Sequence, residues 1–335
     1  MSEIISVENL VEIYSDGTKA VDGISFKVQE GEFFGFLGPN GAGKSTTIKV
    51  LTTLLRKTSG GVKVVGLDLD RSAKDIRPLI GVQSQETVVD GDLTGRENLI
   101  LQGNLHDMKG KELETRVDEL LKLVEISEAA DRRAAYYSGG MKKRLDLASS
   151  LVHKPKLLFL DEPTTGLDPQ SRATIWSYLS RLNKQEGITI FLTTQYLEEA
   201  DRLCERLSII DHGQIVASGT PPELKQEIGA DAITLTVEGT ANGGKEKARN
   251  ILAAVGGVGN IVDTEAGLTV YAKDGSSLVP DIVRALDSSG VRLSSINLSR
   301  PSLDDVFLKH TGHRIRPEEL VRPPSRMGRW GRRGR

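Results

Sequence analysis

Cysteine is nearly absent from this chain of 335 residues, in which Cys204 is the only one. A single cysteine excludes an internal disulfide, so the fold cannot depend on an oxidising compartment. Cys204 lies in the helical pattern EEADRLCERL, where a small buried thiol is a more common role than a reactive one. The composition therefore suits a reducing cytoplasm.

Long apolar runs are also missing, and neither sign of charge is in large excess. No stretch approaches the roughly 20 apolar residues that span a bilayer. The first residues, MSEIISVENL, contain neither a basic segment nor a long apolar one, so we expect no secretory signal. A net charge of -2 gives no whole-chain argument for nucleic-acid binding, and we expect no nucleic acid as a partner. Any membrane role must then come through a second protein.

Strand patterns alternate with helix patterns over most of the chain. The apolar stretches EFFGFL, KLLFLDE and ITIFLTT are each followed by a helical pattern, which favours an α/β fold with a mostly parallel sheet covered on both faces. Thr94 and Glu97 match a capping box at the start of a helix. These features predict a first domain over residues 1–229, with a helical subdomain at about 94–152.

Near residue 229 the pattern changes. The predicted elements that follow have the order βαββαβ, which indicates a small ferredoxin-like α+β domain over residues 230–312, with the helical pattern SLDDVFLKHTG at its end. Residues 313–335 are rich in Arg, with Pro and Gly, and we expect a disordered tail there. A weak attraction to anionic lipid is the alternative for this tail.

The strongest motif is GFLGPNGAGKSTT, in which four residues satisfy the phosphate-binding pattern G-x-x-x-x-G-K-[ST]. Its glycines let backbone N–H groups turn inward on phosphate oxygens, and the following helix adds its positive N-terminal dipole. Lys44 can reach the β- and γ-phosphates, and the Ser45 hydroxyl can ligate Mg²⁺. We therefore expect a nucleotide to bind the whole loop, which comprises Gly38, Pro39, Asn40, Gly41, Ala42, Gly43, Lys44, Ser45 and Thr46.

A second motif, LLFLDEPTTGLDP, places two carboxylates after a buried strand. The apolar residues 157–160 form the strand, so Asp161 and Glu162 follow at its carboxyl end, where open α/β sheets bind ligands. Asp161 is suited to hold a metal ion, usually through water, and Glu162 to accept a proton from an attacking water. The alternative is an acidic pair that merely initiates a helix, which the upstream phosphate loop disfavours.

A third motif, YSGGMKKRLDLASSL, begins a helix at Ser138, Gly139 and Gly140. A hydroxyl and bare backbone amides at a helix N-terminus form an anion site. Because the chain already has one cradle for a triphosphate, this second surface predicts a head-to-tail dimer that encloses two ATP. A plain Ser N-cap is the alternative when the motif is taken alone.

In this order and spacing the three motifs resemble the nucleotide-binding subunit of an ATP-binding-cassette (ABC) transporter, over roughly residues 3–225. Tyr14 matches the aromatic residue that stacks on adenine, with an ordinary edge-strand aromatic as the alternative. Gln85 matches the glutamine that senses Mg²⁺ and the attacking water and links to the membrane partner, although Gln83 is a nearby competitor. Asp168 matches the aspartate that faces the opposite subunit.

Two positions depart from the common ABC pattern. Met141 stands where many relatives have glutamine, and Gln195 where most have a histidine that contacts the γ-phosphate. A neutral amide donates a hydrogen bond but does not titrate near neutrality, so Gln195 is expected to position the phosphate without a pH step. With TTQYLEEAD and PSLDDVFLKHTG, these departures resemble the daunorubicin/doxorubicin-resistance type of exporter ATPase. In that type the C-terminal domain bears on pairing or regulation; a helix that merely packs is the alternative.

The resemblance implies an ATP-hydrolysing subunit, dependent on ATP and Mg²⁺, that works as two copies with a separate membrane permease at the cytoplasmic face of the membrane. Efflux of hydrophobic drugs is the expected function, while a lipid, polysaccharide or ion stays open as the cargo. A soluble ABC ATPase of DNA repair or of ribosomes is the second hypothesis, but the chain lacks a long heptad run, a cysteine pair and a second phosphate loop.

The expected chemistry is carried by a small set of residues. A binding module without turnover conflicts with the presence of both carboxylates of the second motif. The expected catalytic residues are Glu162, Gln195, Gln85 and Lys44, and the expected metal-binding residues are Ser45, Gln85 and Asp161.

Overall fold

The computed structural model describes residues 2–228, 231–237, 244–264 and 267–311. Within these ranges fourteen strands form three sheets. Two of the sheets belong to the N-terminal unit, residues 2–228, and the third to the C-terminal unit, residues 231–299. The expected tail over 313–335 lies outside the described residues. No helix within the described ranges combines the length and apolarity that crossing a bilayer requires.

The first sheet is antiparallel and covers one side of the N-terminal unit. Its two long strands alternate buried and exposed residues, as expected of a sheet with one face on a core. The predicted hairpin-like turn joins them, with Gly17 at φ 86 in the left-handed region that glycine adopts without a steric cost. In spatial order the strands are β2 (Lys19–Gln29), β1 (Glu3–Ile13), β4 (Ser59–Val64) and β5 (Leu67–Asp68).

The second sheet lies at the centre of the N-terminal unit and is parallel except for one edge pair. Its inner strands are buried along their whole length, because elements cover both faces of the sheet. The predicted mostly parallel sheet is thereby confirmed. In spatial order its strands are β10 (Gln214–Gly219), β9 (Arg206–Asp211), β3 (Phe33–Leu37), β8 (Thr189–Thr194), β7 (Leu157–Asp161) and β6 (Ile80–Gln83).

Three helices of the N-terminal unit begin where the sequence motifs predict them: after the phosphate loop, at Thr94 and at Ser138. The Thr94 hydroxyl accepts a hydrogen bond from the Glu97 amide, and the Glu97 carboxylate accepts one from the Thr94 amide, so the capping box is confirmed. The helices are α1 (Lys44–Leu51), α2 (Ala73–Ile76), α3 (Gly95–Leu105), α4 (Gly110–Leu123), α5 (Gly139–Leu151), α6 (Pro169–Glu186), α7 (Leu197–Leu203) and α8 (Pro221–Gln226).

The C-terminal unit has the ferredoxin-like order that the sequence predicts. Its antiparallel sheet has the spatial order β12-β13-β11-β14, and its two helices pack their apolar faces against the buried side of that sheet. In chain order the elements are β11 (Asp231–Val237), α9 (Gly244–Ala253), β12 (Val258–Thr264), β13 (Gly267–Ala272), α10 (Gly275–Ser288) and β14 (Leu293–Ser299).

The last described helix, α11 (Leu303–Thr311), returns to the N-terminal unit. Its Phe307 is fully buried in the same apolar cluster as Leu224 of α8. The Lys309 ammonium donates a hydrogen bond to the Glu227 carbonyl at 2.7 Å. The sequence pattern assigns this helix to a C-terminal domain over 230–312, whereas the helix packs on the core of the first unit. The domain boundaries themselves stay a prediction.

We expect Phe307→Ala to lower the free energy of unfolding by about 3 kcal/mol or more, because it empties a fully buried aromatic site. Urea unfolding followed by circular dichroism measures this change. Asp304→Ala, on the exposed side of α11, is the matched control and should change stability by less than about 0.5 kcal/mol. Equal unfolding midpoints for the Phe307 variant and the wild type would show that α11 does not stabilise the N-terminal unit.

Candidate nucleotide-binding site

A cavity of about 750 Å³ opens at the carboxyl ends of the parallel strands. This volume lies within the usual range for small-molecule sites, and the position is the one at which open α/β sheets bind ligands. The lining combines the phosphate loop with carboxylate, amide and aromatic side chains. The lining residues are Tyr14, Thr18, Lys19, Ala20, Asn40, Gly41, Gly43, Lys44, Ser45, Thr46, Gln85, Glu162, His212 and Gly213.

The loop between β3 and α1 adopts a backbone conformation that leaves no room for a Cβ atom at two of its glycines. Gly43 has φ 105, and a Cβ at this position would overlap the Ala20 carbonyl oxygen. A Cβ on Gly38 would likewise overlap the Ile210 carbonyl oxygen. Helix α1 then begins at Lys44 with no side-chain cap, so its first amides are left for a ligand. The loop therefore has the form of an anion cradle.

Lys44 supplies a buried positive charge next to this cradle, since its side chain is only 4% exposed. The ammonium donates hydrogen bonds to the Gly38 and Pro39 carbonyls at 2.7 and 2.9 Å and lies 3.1 Å from Glu162 Oε1. Burial lowers the pKa of Lys44, while the nearby charges of Glu162 and Asp161 oppose that shift. The ammonium is thus held by two carbonyls of the phosphate loop and by the carboxylate of Glu162, which directly follows β7.

Asp161 joins the loop to the central sheet. The Ser45 hydroxyl donates to Asp161 Oδ1 at 3.1 Å, and the Thr193 hydroxyl of β8 donates to the same oxygen at 2.6 Å. A hydroxyl and a carboxylate are ligand types that Mg²⁺ prefers, so the Ser45–Asp161 pair fits that ion chemically. Thr193 was missed by sequence reasoning, because only the parallel register of β7 with β8 brings it here.

Glu162 directs its carboxylate into the cavity from an unusual backbone conformation. Its φ of 48 lies in the left-handed region, which is costly for a side chain with a Cβ. Two acceptors of Thr193, the carbonyl and the hydroxyl, bind the Glu162 amide, and the Thr165 hydroxyl donates to Glu162 Oε2 at 3.1 Å. The side chain is 4% exposed. These contacts hold one carboxylate at the phosphate end of the cavity.

Gln83, the last residue of β6, and Gln85, two residues after it, have different surroundings. Gln85 lines the cavity together with Glu162. Gln83 is 1% exposed, and its amide donates to the Lys143 carbonyl at 3.3 Å instead. Gln195 directly follows β8, whose last carbonyl, on Thr194, accepts a hydrogen bond from the Gly38 amide at 3.2 Å. Gln195 therefore borders the phosphate loop, although it is not one of the cavity-lining residues in the described part of the chain.

Tyr14 lines the cavity from the start of the turn between β1 and β2. Its hydroxyl is 3.0 Å from the Thr46 hydroxyl, and 36% of the residue is exposed. A partly exposed aromatic ring beside the phosphate loop offers a flat apolar face on which a base can stack.

The first residues of the third motif, Ser138, Gly139 and Gly140, do not line this cavity in the described part of the chain. The Ser138 hydroxyl caps α5 by accepting from the Met141 amide, and Gly139 is exposed beside it. Asp168 caps α6 in the same way, and hydrogen bonds from Ser171 lower the pKa of its carboxyl. A Cβ on Gly140 would come within 2.8 Å of the Ser171 hydroxyl, so the two helix N-termini are neighbours. Ser138, Gly139 and Asp168 are exposed, so the two N-termini form a polar surface.

Sequence reasoning missed a second wall of the cavity, which comprises Thr18, Lys19, Ala20, His212 and Gly213. The Gly213 amide donates to the Ala42 carbonyl at 3.0 Å, so the turn between β9 and β10 contacts the phosphate loop directly. The available signal was topological, since β9 pairs in parallel with β3 and must end at the same edge of the sheet. No local motif marks these residues.

Comparison with known proteins gives the same picture. The family model described as "ABC transporter" matches residues 21–165, and the one described as "ATP-binding protein DrrA1-3-like, C-terminal domain" matches residues 219–311. The daunorubicin resistance ATP-binding protein DrrA2 of Streptomyces coeruleorubidus is 43% identical over 302 residues, which are 90% of this chain and 93% of that protein. The Nod factor export ATP-binding protein I of Sinorhizobium fredii is 39% identical over 93% of this chain and 87% of that protein.

A solved structure shares the fold of the N-terminal unit. It is a dimeric post-hydrolysis state of an ATP-binding cassette bound to ADP and Pi, with a TM-score of 0.60, 27% identity, and coverage of 64% of this chain and 98% of that chain. The fold and the family are therefore those of an ATPase that binds nucleotide. The chain belongs to the ABC transporter family and is an ATP-binding subunit of the DrrA type.

Proposed function

We propose that this ATPase subunit powers the outward transport of hydrophobic drugs through a separate membrane permease. The observation that carries the proposal is the continuity of the match: the resemblance to a daunorubicin resistance ATP-binding protein runs through 90% of the chain, including the C-terminal unit. An exporter of another cargo is the alternative, and the relative named for Nod factor export supports it. In either case the subunit acts at the cytoplasmic face of the membrane, attached through the permease.

The cavity accounts for how ATP would be bound. Tyr14, which lines the cavity, stacks on adenine, and the amides from Gly41 to Thr46 surround the phosphates. The Lys44 ammonium lies among carbonyls and the Glu162 carboxylate, and the terminal phosphates replace these as its partners when ATP enters. The binding energy thus comes from many oriented dipoles and one buried charge.

The metal ion fits three residues beside the phosphate loop. Ser45, Asp161 and Gln85 supply a hydroxyl, a carboxylate and an amide oxygen, the ligand types that hard cations prefer. When bound there, Mg²⁺ neutralises charge on the β- and γ-phosphates. The Thr193 hydroxyl holds Asp161 for this task through the 2.6 Å hydrogen bond.

Hydrolysis requires a base and a donor near the terminal phosphate. Glu162 accepts a proton from the attacking water, and its amide contacts with Thr193 fix where the carboxylate stands. Gln195 donates a hydrogen bond to the γ-phosphate from the end of β8. Lys44 stabilises the charge that develops on the transferred group.

The site is completed by a second copy of the chain. Ser138, Gly139 and Gly140 offer a hydroxyl and amides at the surface, and this chain's own cavity does not use them. We assign them to the γ-phosphate held by the opposite copy, with Asp168 beside them at the contact. ATP then closes the pair, hydrolysis reopens it, and the segment after Gln85 passes the motion to the permease.

We expect Glu162→Gln to lower ATP turnover by about 10²-fold or more, because an amide cannot accept the proton. Bound ATP should then trap a stable dimer, measured by size-exclusion chromatography with light scattering in Mg-ATP and in ADP. Adding Lys44→Met to the variant removes the phosphate contact and should abolish the dimer. A Glu162→Gln protein that stays monomeric in saturating Mg-ATP contradicts the proposed pairing.

Gln195→Ala should lower the turnover number by about ten-fold, since one hydrogen bond to a charged phosphate is lost. The wild type should show no pH step from this position, whereas Gln195→His should introduce one near the usual pKa of imidazole, about 6.5. Steady-state turnover between pH 5.5 and 8.5 at saturating ATP measures both effects. Full turnover by Gln195→Ala would refute the role.

Drug export is tested by co-expressing the chain with a permease encoded beside its gene in drug-sensitive cells. We expect lower accumulation of daunorubicin, read by its fluorescence, than in cells with the Glu162→Gln variant. Reconstituted vesicles should show ATP hydrolysis stimulated by the same drug. Unchanged accumulation, together with ATP hydrolysis stimulated by a lipid or a glycan, would assign another cargo.

A further inference from the structure

Helix α5 carries two charged side chains that point into the protein instead of into solvent. Lys143 is 7% exposed and Asp146 is 6% exposed. Buried charges are rare unless they are paired or hydrogen-bonded, so a specific task is expected of such residues. Neither belongs to the cavity lining, and neither is part of the three motifs' expected chemistry.

Both side chains bind the backbone of the segment after β6. The Lys143 ammonium donates to the Gln85 carbonyl at 2.5 Å, and Asp146 Oδ1 accepts from the Val88 amide at 3.3 Å. Gln83 strengthens the connection, because its side-chain amide donates to the Lys143 carbonyl at 3.3 Å. One helix thus holds the segment 83–88 at three points.

The same helix begins at the surface that the proposed function assigns to the opposite nucleotide. Lys143 follows Gly140 by less than one turn, so the contact with Gln85 lies one helical turn from the Ser138–Gly140 surface. Burial lowers the pKa of Lys143, and Asp146, Asp161 and Glu162 oppose the shift, which places this ammonium in the electrostatic field of the catalytic carboxylates.

We propose that Lys143 is a positioning residue for ATP hydrolysis, which fixes Gln85 relative to α5 by binding its backbone carbonyl. Because this hydrogen bond involves the main chain, it determines where the Gln85 side chain enters the cavity. The side-chain amide of Gln85 stays available. Asp146 fixes the other end of the same short segment through Val88. This inference rests on the role proposed above for Gln85.

The consequence is a direct connection between the Ser138–Gly140 surface, which we assign to the opposite nucleotide, and Gln85, which lines the chain's own cavity. A displacement of α5 on pairing with a second copy moves Lys143 and therefore the Gln85 backbone of the same chain. Misplacing a group by about 1 Å can cost about 10²-fold in rate, so a single contact of this kind is able to control turnover.

The test is Lys143→Met, which keeps the length and apolar stem of the side chain and removes the donor. We expect the turnover number to fall about ten-fold while KM for ATP changes less than about two-fold, because the phosphate loop is intact. Lys143→Arg, which keeps a donor, should restore much of the loss. Lys122→Met, the same change at an exposed lysine of α4, should leave both constants unchanged.

Hydrogen–deuterium exchange gives a readout that does not depend on activity. Faster exchange in the peptide that covers residues 84–90, with unchanged exchange in α4, is expected for Lys143→Met. Wild-type exchange there overturns the proposal, as does a wild-type turnover number. A fall in turnover with unchanged exchange assigns Lys143 an electrostatic effect on Glu162 and also overturns it. If Lys143→Met does not fold, Lys143→Gln, whose shorter side chain cannot keep the same reach, is judged by the same criteria.

Gln85→Ala, measured in parallel, separates this inference from the proposed function. If Gln85→Ala loses turnover and Lys143→Met does not, the role of Gln85 stands and the positioning role fails. If Gln85→Ala retains full turnover, the role of Gln85 fails and the inference that rests on it is overturned as well. Non-additive losses in the double variant support a shared action.

Discussion

The parallel pairing of β3, β8 and β7 is the constraint on which the rest of the molecule depends. It sets Leu37 beside Thr194, and Asp161 beside Thr193, so the three strands end at one edge. The phosphate loop follows β3, Gln195 follows β8 and Glu162 follows β7. Because the strands are fully buried, their register is fixed by packing on both faces, and the residues that follow them are positioned equally precisely.

At that edge, the opposite charges of Lys44 and Glu162 are buried close together. Lys44 and Glu162 are each 4% exposed and 3.1 Å apart, so each offsets part of the other's desolvation. A polyanion that enters offers Lys44 phosphate oxygens in place of the Glu162 carboxylate. The ion pair and the proposed phosphate contact are thus alternative uses of Lys44.

Local signals in the sequence predicted most of the fold and the ends of the strands that form the site. Capping residues, glycines and apolar runs act over a few positions, and the structure has the phosphate loop, the capping box at Thr94 and the βαββαβ order where they were expected. Thr193 and Gly213 were not predictable, because their place in the site comes from strand pairing alone. Lys143 was hidden for a related reason: a lysine after a helix start usually faces solvent, and only the fold buries this one.

Because α11 packs on the N-terminal unit, the small C-terminal fold is attached to that unit at both of its ends. The polypeptide leaves the larger unit after α8 and is fastened to it again at Phe307, next to its point of departure. A segment tied at both ends explores far less space than a tail tied at one, so its effective concentration near the larger unit stays high. The ferredoxin-like fold therefore stays close to the ATPase unit, unlike a domain that is attached through one flexible linker.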